Sequence, residues 1–283
     1  MNDRARRRWE LEHEGRQRIL AAPKGSAARR AATREAYERV AAFYAEGNAG
    51  QPFAMGYRAR YARLVIGLLT QQAKTVPPRY FEIGYGCGQL LGQVAAAGFP
   101  VAGIEVSPAL RAEACRAVAP EQHARLLTGD FLTQDFVASQ GAYSLVYWND
   151  VFEHIPPDEI LDYLRRIHAL LAPGGQLVTI TPNWHMRPKD GTKLVFPPRT
   201  EASGLHLREY TLRDVSRLLG EAGFGDVRTP LVVTPPRVFL AGRGLVAGKQ
   251  RCEPALERLP FWMAKACCLW LGLGVTIARK PAA

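Results

Sequence analysis

The sequence predicts an α/β fold built on a doubly wound parallel sheet. Two patterns carry that expectation. From Pro78 onward short apolar runs alternate with helical segments, the runs recurring at roughly 20 to 30 residues as βαβ crossovers require. Three alternating glycines, Gly84, Gly86 and Gly88, follow the first of these runs directly. The composition agrees: 283 residues with 47% hydrophobic and 9% aromatic residues can bury a large core, which excludes a disordered or collagen-like chain.

Ahead of the alternation, residues 26–45 (SAARRAATREAYERVAAFYA) place Ala31, Tyr37, Val40, Ala41 and Tyr44 at helical spacing. The loop GNAGQPFAMG breaks that helix, and a second covers 57–73 until Pro77 and Pro78, so two helices are expected before the first strand. The order then reads strand 80–83, helix 89–97, strand 101–105, helix 108–118, strands 124–128 and 144–148, helix 157–171, and strand 175–181. Residues 184–210 are polar, proline-bearing and without period, as expected of a lid. Helix 211–222 has Thr211 at its N-cap and Gly223 at its end. A strand at 227–233, an apolar helical region and a last strand at 274–279 complete the chain, giving a cap at 1–78, a core at 79–234 and a C-terminal part at 235–283 of the same domain.

The formal net charge is +11, but residues 79–183 hold only 6 Lys and Arg against 11 Asp and Glu, so the positive excess lies wholly in the flanks. Such a balance is compatible with nucleic acid, anionic lipid or an acidic small substrate. Five cysteines without a C-x-x-C pair make a poor disulfide or zinc framework, and MNDRARRRWELEHE has arginines with no apolar run behind them, so a cytoplasmic protein is expected. Residues 261–278 are apolar but contain Lys265 and two glycines, and read as a packed helix and strand rather than a membrane insertion.

The chemistry concentrates at strand ends. In EIGYGCG, Glu82 precedes a turn whose glycines let backbone approach a nucleotide-type ligand; the spacing is G-x-G-x-G, not the G-x-G-x-x-G of dinucleotide sites. Glu105 ends the second strand, where a carboxylate can accept both hydrogen bonds of a ribose diol. Asp130 and Phe131 end the third, an acid for an adenine amino group and an aromatic to cover the ring.

EIGYGCG, GIEVSP, GDF, VYWNDVFEHIP, LAPGGQLVTITPN and HLREYTLRDVSRLLGEAGF resemble, in order and spacing, the class I S-adenosylmethionine-dependent methyltransferases, especially their bacterial small-molecule branch. The resemblance implies a Rossmann-like, doubly wound seven-stranded sheet with a reversed last strand, an N-terminal helical cap and a lid insertion. It implies S-adenosylmethionine as cofactor, held by Glu82, Gly84, Gly86, Gly88, Glu105, Asp130, Phe131, Asn149 and Asp150. Ser144 departs from the family's usual Asp at the start of that strand, far from the ligand edge, and Cys87 reads as a small buried residue.

Methyl transfer to a hydroxyl needs alignment and a proton acceptor, for which His154 and His206 are the candidates; His13, His123 and His168 read as surface residues. Asp150, Glu153, His154 and His206 could instead ligate Mg or Mn, although most D-x-x-E-H relatives bind no metal and none is expected. Trp148, Trp184, Met186, Phe196 and Tyr210 could stack on an acceptor, and Arg187, Lys189, Lys193 and Arg199 could form an anion-binding rim. The expected reaction is methylation of an oxygen on a small natural product or sugar, with nitrogen or carbon acceptors and an NAD-linked oxidoreductase as alternatives. The acceptor is expected to be anionic or glycosylated, without nucleic acid; a homodimer is compatible with the sequence.

Overall fold

The computed structural model describes residues 3–47, 59–74, 77–240 and 244–282. Strands β1 (Tyr80–Ile83), β2 (Val101–Glu105), β3 (Leu126–Thr128), β4 (Tyr143–Asn149), β5 (Leu171–Ile180), β6 (Gly225–Arg228) and β9 (Val275–Arg279) form one sheet in the order β3-β2-β1-β4-β5-β9-β6. β9 alone runs against its neighbours, pairing antiparallel with β5 and β6, which gives the reversed strand.

β1 and β2 are buried along their whole length, as strands covered on both faces must be. One face carries α3 (Ala59–Gln72), α4 (Gln89–Ala96) and α5 (Pro108–Ala117) over Leu68, Leu91, Val94 and Tyr147. The other carries α6 (Ile160–Leu170) and α7 (Leu212–Glu221); Ile160, Leu164, Ile167 and Leu170 of α6 recur at helical spacing onto Phe81 and Trp148. Thr211 and Asp214 close a capping box at the start of α7.

The N-terminal region holds three helices instead of the two expected: α1 (Asp3–Ala21), α2 (Ala27–Gly47) and α3. The loop at 48–56 and the start of the second expected helix lie outside the described residues. α1 lacks an apolar stripe because it docks through polar groups. Its buried Glu12 accepts from Arg8 (2.8 Å) and from the Gly191 amide (2.8 Å), and Gly15 lets Ala36 of α2 come close. The strand expected at 227–233 is two strands. The chain leaves the sheet at Pro230, which has no N–H for a ladder, and β7 (Pro230–Val233) pairs with β8 (Val238–Leu240) as a separate hairpin.

Residues 184–210 form 3-10 turns at Trp184–Met186, packed on the C-terminal helix α9 (Phe261–Trp270), and at Gly191–Leu194, packed on α1; α8 (Leu245–Cys252) precedes α9 and packs on α7. Among the described residues no helix is long and apolar enough to cross a membrane.

Candidate functional site

A cleft of about 240 Å³ opens at the carboxyl ends of β1, β2 and β4 and is roofed by α2 and α3. Its floor begins at the glycine turn, where Gly84, Gly86 and Gly88 have φ of 68°, 52° and 73°. A Cβ on Gly84 would stand 2.5 Å from Val151 Cγ2, so the turn is open only to glycine. Gly88 does not border the cleft; it caps α4, and a Cβ there would stand 2.6 Å from Ala114 Cβ of α5, so its absence lets the two helices pack closely.

Three acids stand at three successive strand ends. Glu82 accepts from the Tyr80 hydroxyl (2.9 Å); burial, helped by nearby Glu105 and opposed by that hydrogen bond, pushes its carboxyl up to about 8. Glu105 accepts from the Gly86 amide (2.9 Å) and the Ser107 amide (3.1 Å), and burial raises it above the usual carboxylate range despite those donors. Asp130 accepts from the Leu132 amide (2.8 Å). Asn149 ends β4 and Asp150 follows it, and Asp150 takes φ 52°, a left-handed conformation that aspartate tolerates better than most residues.

Phe131, expected to cover an adenine ring, is 3% exposed. It borders the cleft from inside the core, packed on Phe136 and stacked on Tyr163 with centroids 5.5 Å apart. Cys87 is half-buried at the cleft wall, and burial raises its thiol pKa, which disfavours the thiolate.

The two histidines separate. His154 borders the cleft, edge-on to Tyr37 at 5.7 Å. Its Nδ1 lies 2.8 Å from the Leu205 carbonyl, which only accepts, so Nδ1 carries the proton and Nε2 the lone pair. Burial, reinforced by the charge of His206, lowers its pKa to about 3. His206 does not border the cleft. It sits behind His154, Nδ1 2.7 Å from Glu209 Oε1 and Nε2 3.9 Å from Glu153 Oε1. Burial alone would lower its pKa, but the Glu209 hydrogen bond and the charges of Glu153, Glu209 and Asp190 outweigh it and hold His206 as an imidazolium, up to about 9.

Glu153, His154 and His206 bring ligand atoms within 4.8 Å of one another, and Asp150 is not in that group. A divalent ion there would have to displace the His206 proton. Glu153 is fully buried, accepts from the Thr181 hydroxyl (2.8 Å), and its Oε1 has no hydrogen-bond partner.

The expected acceptor aromatics are elsewhere. Trp148 and Tyr210 are core residues, the indole of Trp148 donating to Thr179 (2.7 Å), and Met186 packs with α9. Phe196 meets Trp9, and Trp184 lies under Arg187. The expected cationic rim is partly consumed: Arg187 pairs with Glu257 (2.5 Å), and Arg199 reaches Glu257 (3.6 Å) and the Leu256 carbonyl (3.1 Å). His13, read as a surface residue, bonds the Ser203 carbonyl (2.8 Å) and stacks on Trp9.

Sequence reasoning named no cap residue in the cleft. Arg29, Arg30, Thr33 and Tyr37 of α2 border it, with Tyr61 of α3. Arg29 is clamped to Asp158 (2.7 Å) and Glu159 (3.1 Å) across the mouth. The i, i+1, i+4, i+8 spacing of the four α2 residues was the available signal, and only Tyr37 had been placed on the buried face. His185, which bonds Glu257 at 2.8 Å, was also missed.

A glycine turn, acids at three strand ends and a helical roof define an α/β enzyme that binds a nucleotide-type ligand at the switch of its sheet. A model of the methyltransferase domain matches residues 55–229. The chain belongs to that family and is an S-adenosylmethionine-dependent methyltransferase. No curated protein matches the sequence. Among solved structures, the chain is similar to 1,6-didemethyltoxoflavin-N1-methyltransferase of Burkholderia thailandensis, at 18% identity and TM-score 0.50, covering 93% of each chain. It is similar to a TehB-like methyltransferase of Corynebacterium glutamicum, at 15% identity and TM-score 0.46, covering 89% of this chain and 99% of that one. It also matches phosphoethanolamine N-methyltransferase 2 of Haemonchus contortus, at 19% identity and TM-score 0.48, covering 77% of this chain and spanning only 52% of that one.

Proposed function

We propose that the chain methylates a hydroxyl oxygen of a small natural product or sugar, and that the cleft holds S-adenosylmethionine on the sheet side and the acceptor under α2. The observation that carries the reading is the neutral His154, its Nδ1 proton tied to the Leu205 carbonyl and its ring on the cleft beside Tyr37.

The residues suit this cofactor. Glu82 and Glu105 are carboxylates in a buried cleft, with no cation among their hydrogen-bond partners, and a ligand bearing an ammonium, a sulfonium and a ribose diol supplies both charge and donors. The space a Gly84 Cβ would fill admits such a ligand against the backbone. Glu105 would take the ribose hydroxyls, Asp130 the adenine amino group, and Asn149 and Asp150 the methionine end. Gly86 would shape the ribose side of the turn, and Gly88 would hold α4 in place.

When bound, S-adenosylmethionine supplies a methyl group already carried on a good leaving group, so the chain's own work is alignment and proton removal. His154 Nε2 accepts the acceptor hydroxyl's hydrogen bond. A ring held near pKa 3 does not ionise a free hydroxyl, but an oxygen gaining a methyl group becomes far more acidic, and a weak base suffices at that moment. His206 acts as a positioning residue, its charge keeping His154 unprotonated while it waits. Residues 1–78 serve as the cap, 184–210 as the lid braced on the cap helix α1, and 235–283 complete the core domain.

The test is to incubate the enzyme with metabolite extract and methyl-labelled cofactor and to locate the label by mass spectrometry and NMR. A labelled methyl ether is expected. Label on nitrogen or carbon would overturn the oxygen assignment and leave the cofactor site standing.

A further inference from the structure

A helix that is apolar all round is ordinarily buried. α9, FWMAKACCLW, is apolar save for Lys265 and is not buried: Ala264 and Cys268 face the core, while Trp262 is 71% and Trp270 63% exposed. Between them on the same face lie Ala266 and Leu269, both exposed, with Lys265 at its border. β7 of the β7–β8 hairpin packs beside α9 and carries exposed Leu231. Two open tryptophans on one short helix need a partner.

The charge around the face is one-signed. Residues 245–282 hold six Lys and Arg against two acids, three of the cations, Lys249, Arg279 and Lys280, being spent on backbone carbonyls. Both acids are committed inward: Glu253 accepts from Asn183 Nδ2 (2.6 Å) and the Leu212 amide (2.8 Å), and Glu257 is shared by His185, Arg187 and Arg199. Lys265, Arg258 and Arg251 are exposed. Lys189 stands near Lys265, close enough to feel its charge, along with those of Lys193, Glu209 and Asp150. The register Asn149↔Ile180 and Ile180↔Val275 starts β9, and so ends α9, at the sheet edge where the cleft opens.

We propose that the tryptophan face of α9, with β7 beside it, docks the enzyme on an anionic lipid bilayer. Tryptophan suits the headgroup boundary, and lysine and arginine around it suit anionic headgroups. α9 has ten residues, so it lies on the bilayer and does not cross it. A second copy of the chain is the poorer occupant, because a two-fold contact through this face sets Lys265 and its neighbours against their own images. Docking by α9 turns the cleft edge of the sheet toward the bilayer. The proposal is independent of the acceptor's identity.

The full chain is mixed with vesicles of equal phosphatidylglycerol and phosphatidylcholine, or of phosphatidylcholine alone, and sedimented while tryptophan emission is recorded. Sedimentation with the anionic vesicles only, a blue shift, and release by raised salt are expected. Trp262→Ala combined with Trp270→Ala should weaken that binding about tenfold, and Lys265→Glu several-fold, with cofactor affinity unchanged in both. Failure to sediment, equal binding to neutral vesicles, or binding indifferent to these variants would overturn the proposal. So would a concentration-dependent dimer that the double variant dissolves, which would give the face to a second copy.

Discussion

His206 stands edge-on to His154, ring centroids 4.8 Å apart, and of the two only His154 borders the cleft. Two histidines that look equivalent in sequence therefore have different duties. His154→Ala is expected to lower turnover by roughly 10²–10⁴-fold while leaving S-adenosylhomocysteine affinity intact. His206→Gln removes the neighbouring charge, so His154 becomes more basic and the acid limb of the pH–rate profile moves up. Turnover and calorimetric binding on the two variants check both; an unshifted profile in His206→Gln would show that the two rings do not communicate.

The same imidazolium makes stability pH-dependent. A histidine whose pKa is raised by folding contributes stability that is complete below its ordinary value of 6.5 and is lost as pH climbs through about 9. Melting temperature should fall across that window in the parent protein, and the fall should be shallower in His206→Gln.

Cofactor binding should tighten as pH rises toward about 8. Glu82 is held protonated by burial up to that value and must release its proton to meet a cationic ligand, so titrations in buffers of different ionisation enthalpy should show proton release. Glu105→Ala should cost about 1–3 kcal/mol of affinity through lost hydrogen bonds. Unaltered affinity would remove Glu105 from the ribose site.

Two glycines of one turn should fail in different assays. Gly84→Ala drives a Cβ into Val151 at the cleft and should abolish S-adenosylhomocysteine binding. Gly88→Ala drives one into Ala114 behind the turn and should destabilise the fold by about 1–3 kcal/mol, read as denaturant midpoint.

Arg29→Met breaks the clamp between cap and core and leaves the buried Glu159 with only the Gly25 amide as partner (2.8 Å). Cleavage of the N-terminal helices by a protease should accelerate, and cofactor should dissociate faster. Both effects should be absent in Arg30→Met, a neighbour whose guanidinium bonds the Gly25 carbonyl instead.

Much of this was legible in the sequence because it is local. The alternation of apolar runs gave β1 to β5, and the strand-end acids Glu82, Glu105 and Asp130 do border one cleft. What was hidden depends on distant partners. α1 shows little apolar periodicity because its docking residue is Glu12, whose partner Gly191 lies far along the chain. The aromatic and cationic residues of 184–210 looked available in sequence, yet Arg187 and Arg199 meet Glu257, a residue no spacing rule connects to them. His206 reads in the sequence as a candidate proton acceptor like His154, whereas its charge is set by Glu209 and Glu153 around it.

The reversed strand bears on how the molecule is made. β6 has no neighbour in the main sheet except β9, and β9 is the last strand in chain order. A growing chain can assemble β1 to β5 as soon as they emerge, but β5 keeps a bare edge and β6 waits unpaired until residues 275–279 arrive. Through that interval the nascent enzyme carries an open hydrogen-bonding edge that invites pairing with a neighbour. Its vulnerable moment is thus the interval between β5 and β9, and substitutions in β9 should be felt first as lost yield of folded protein rather than as lost catalysis.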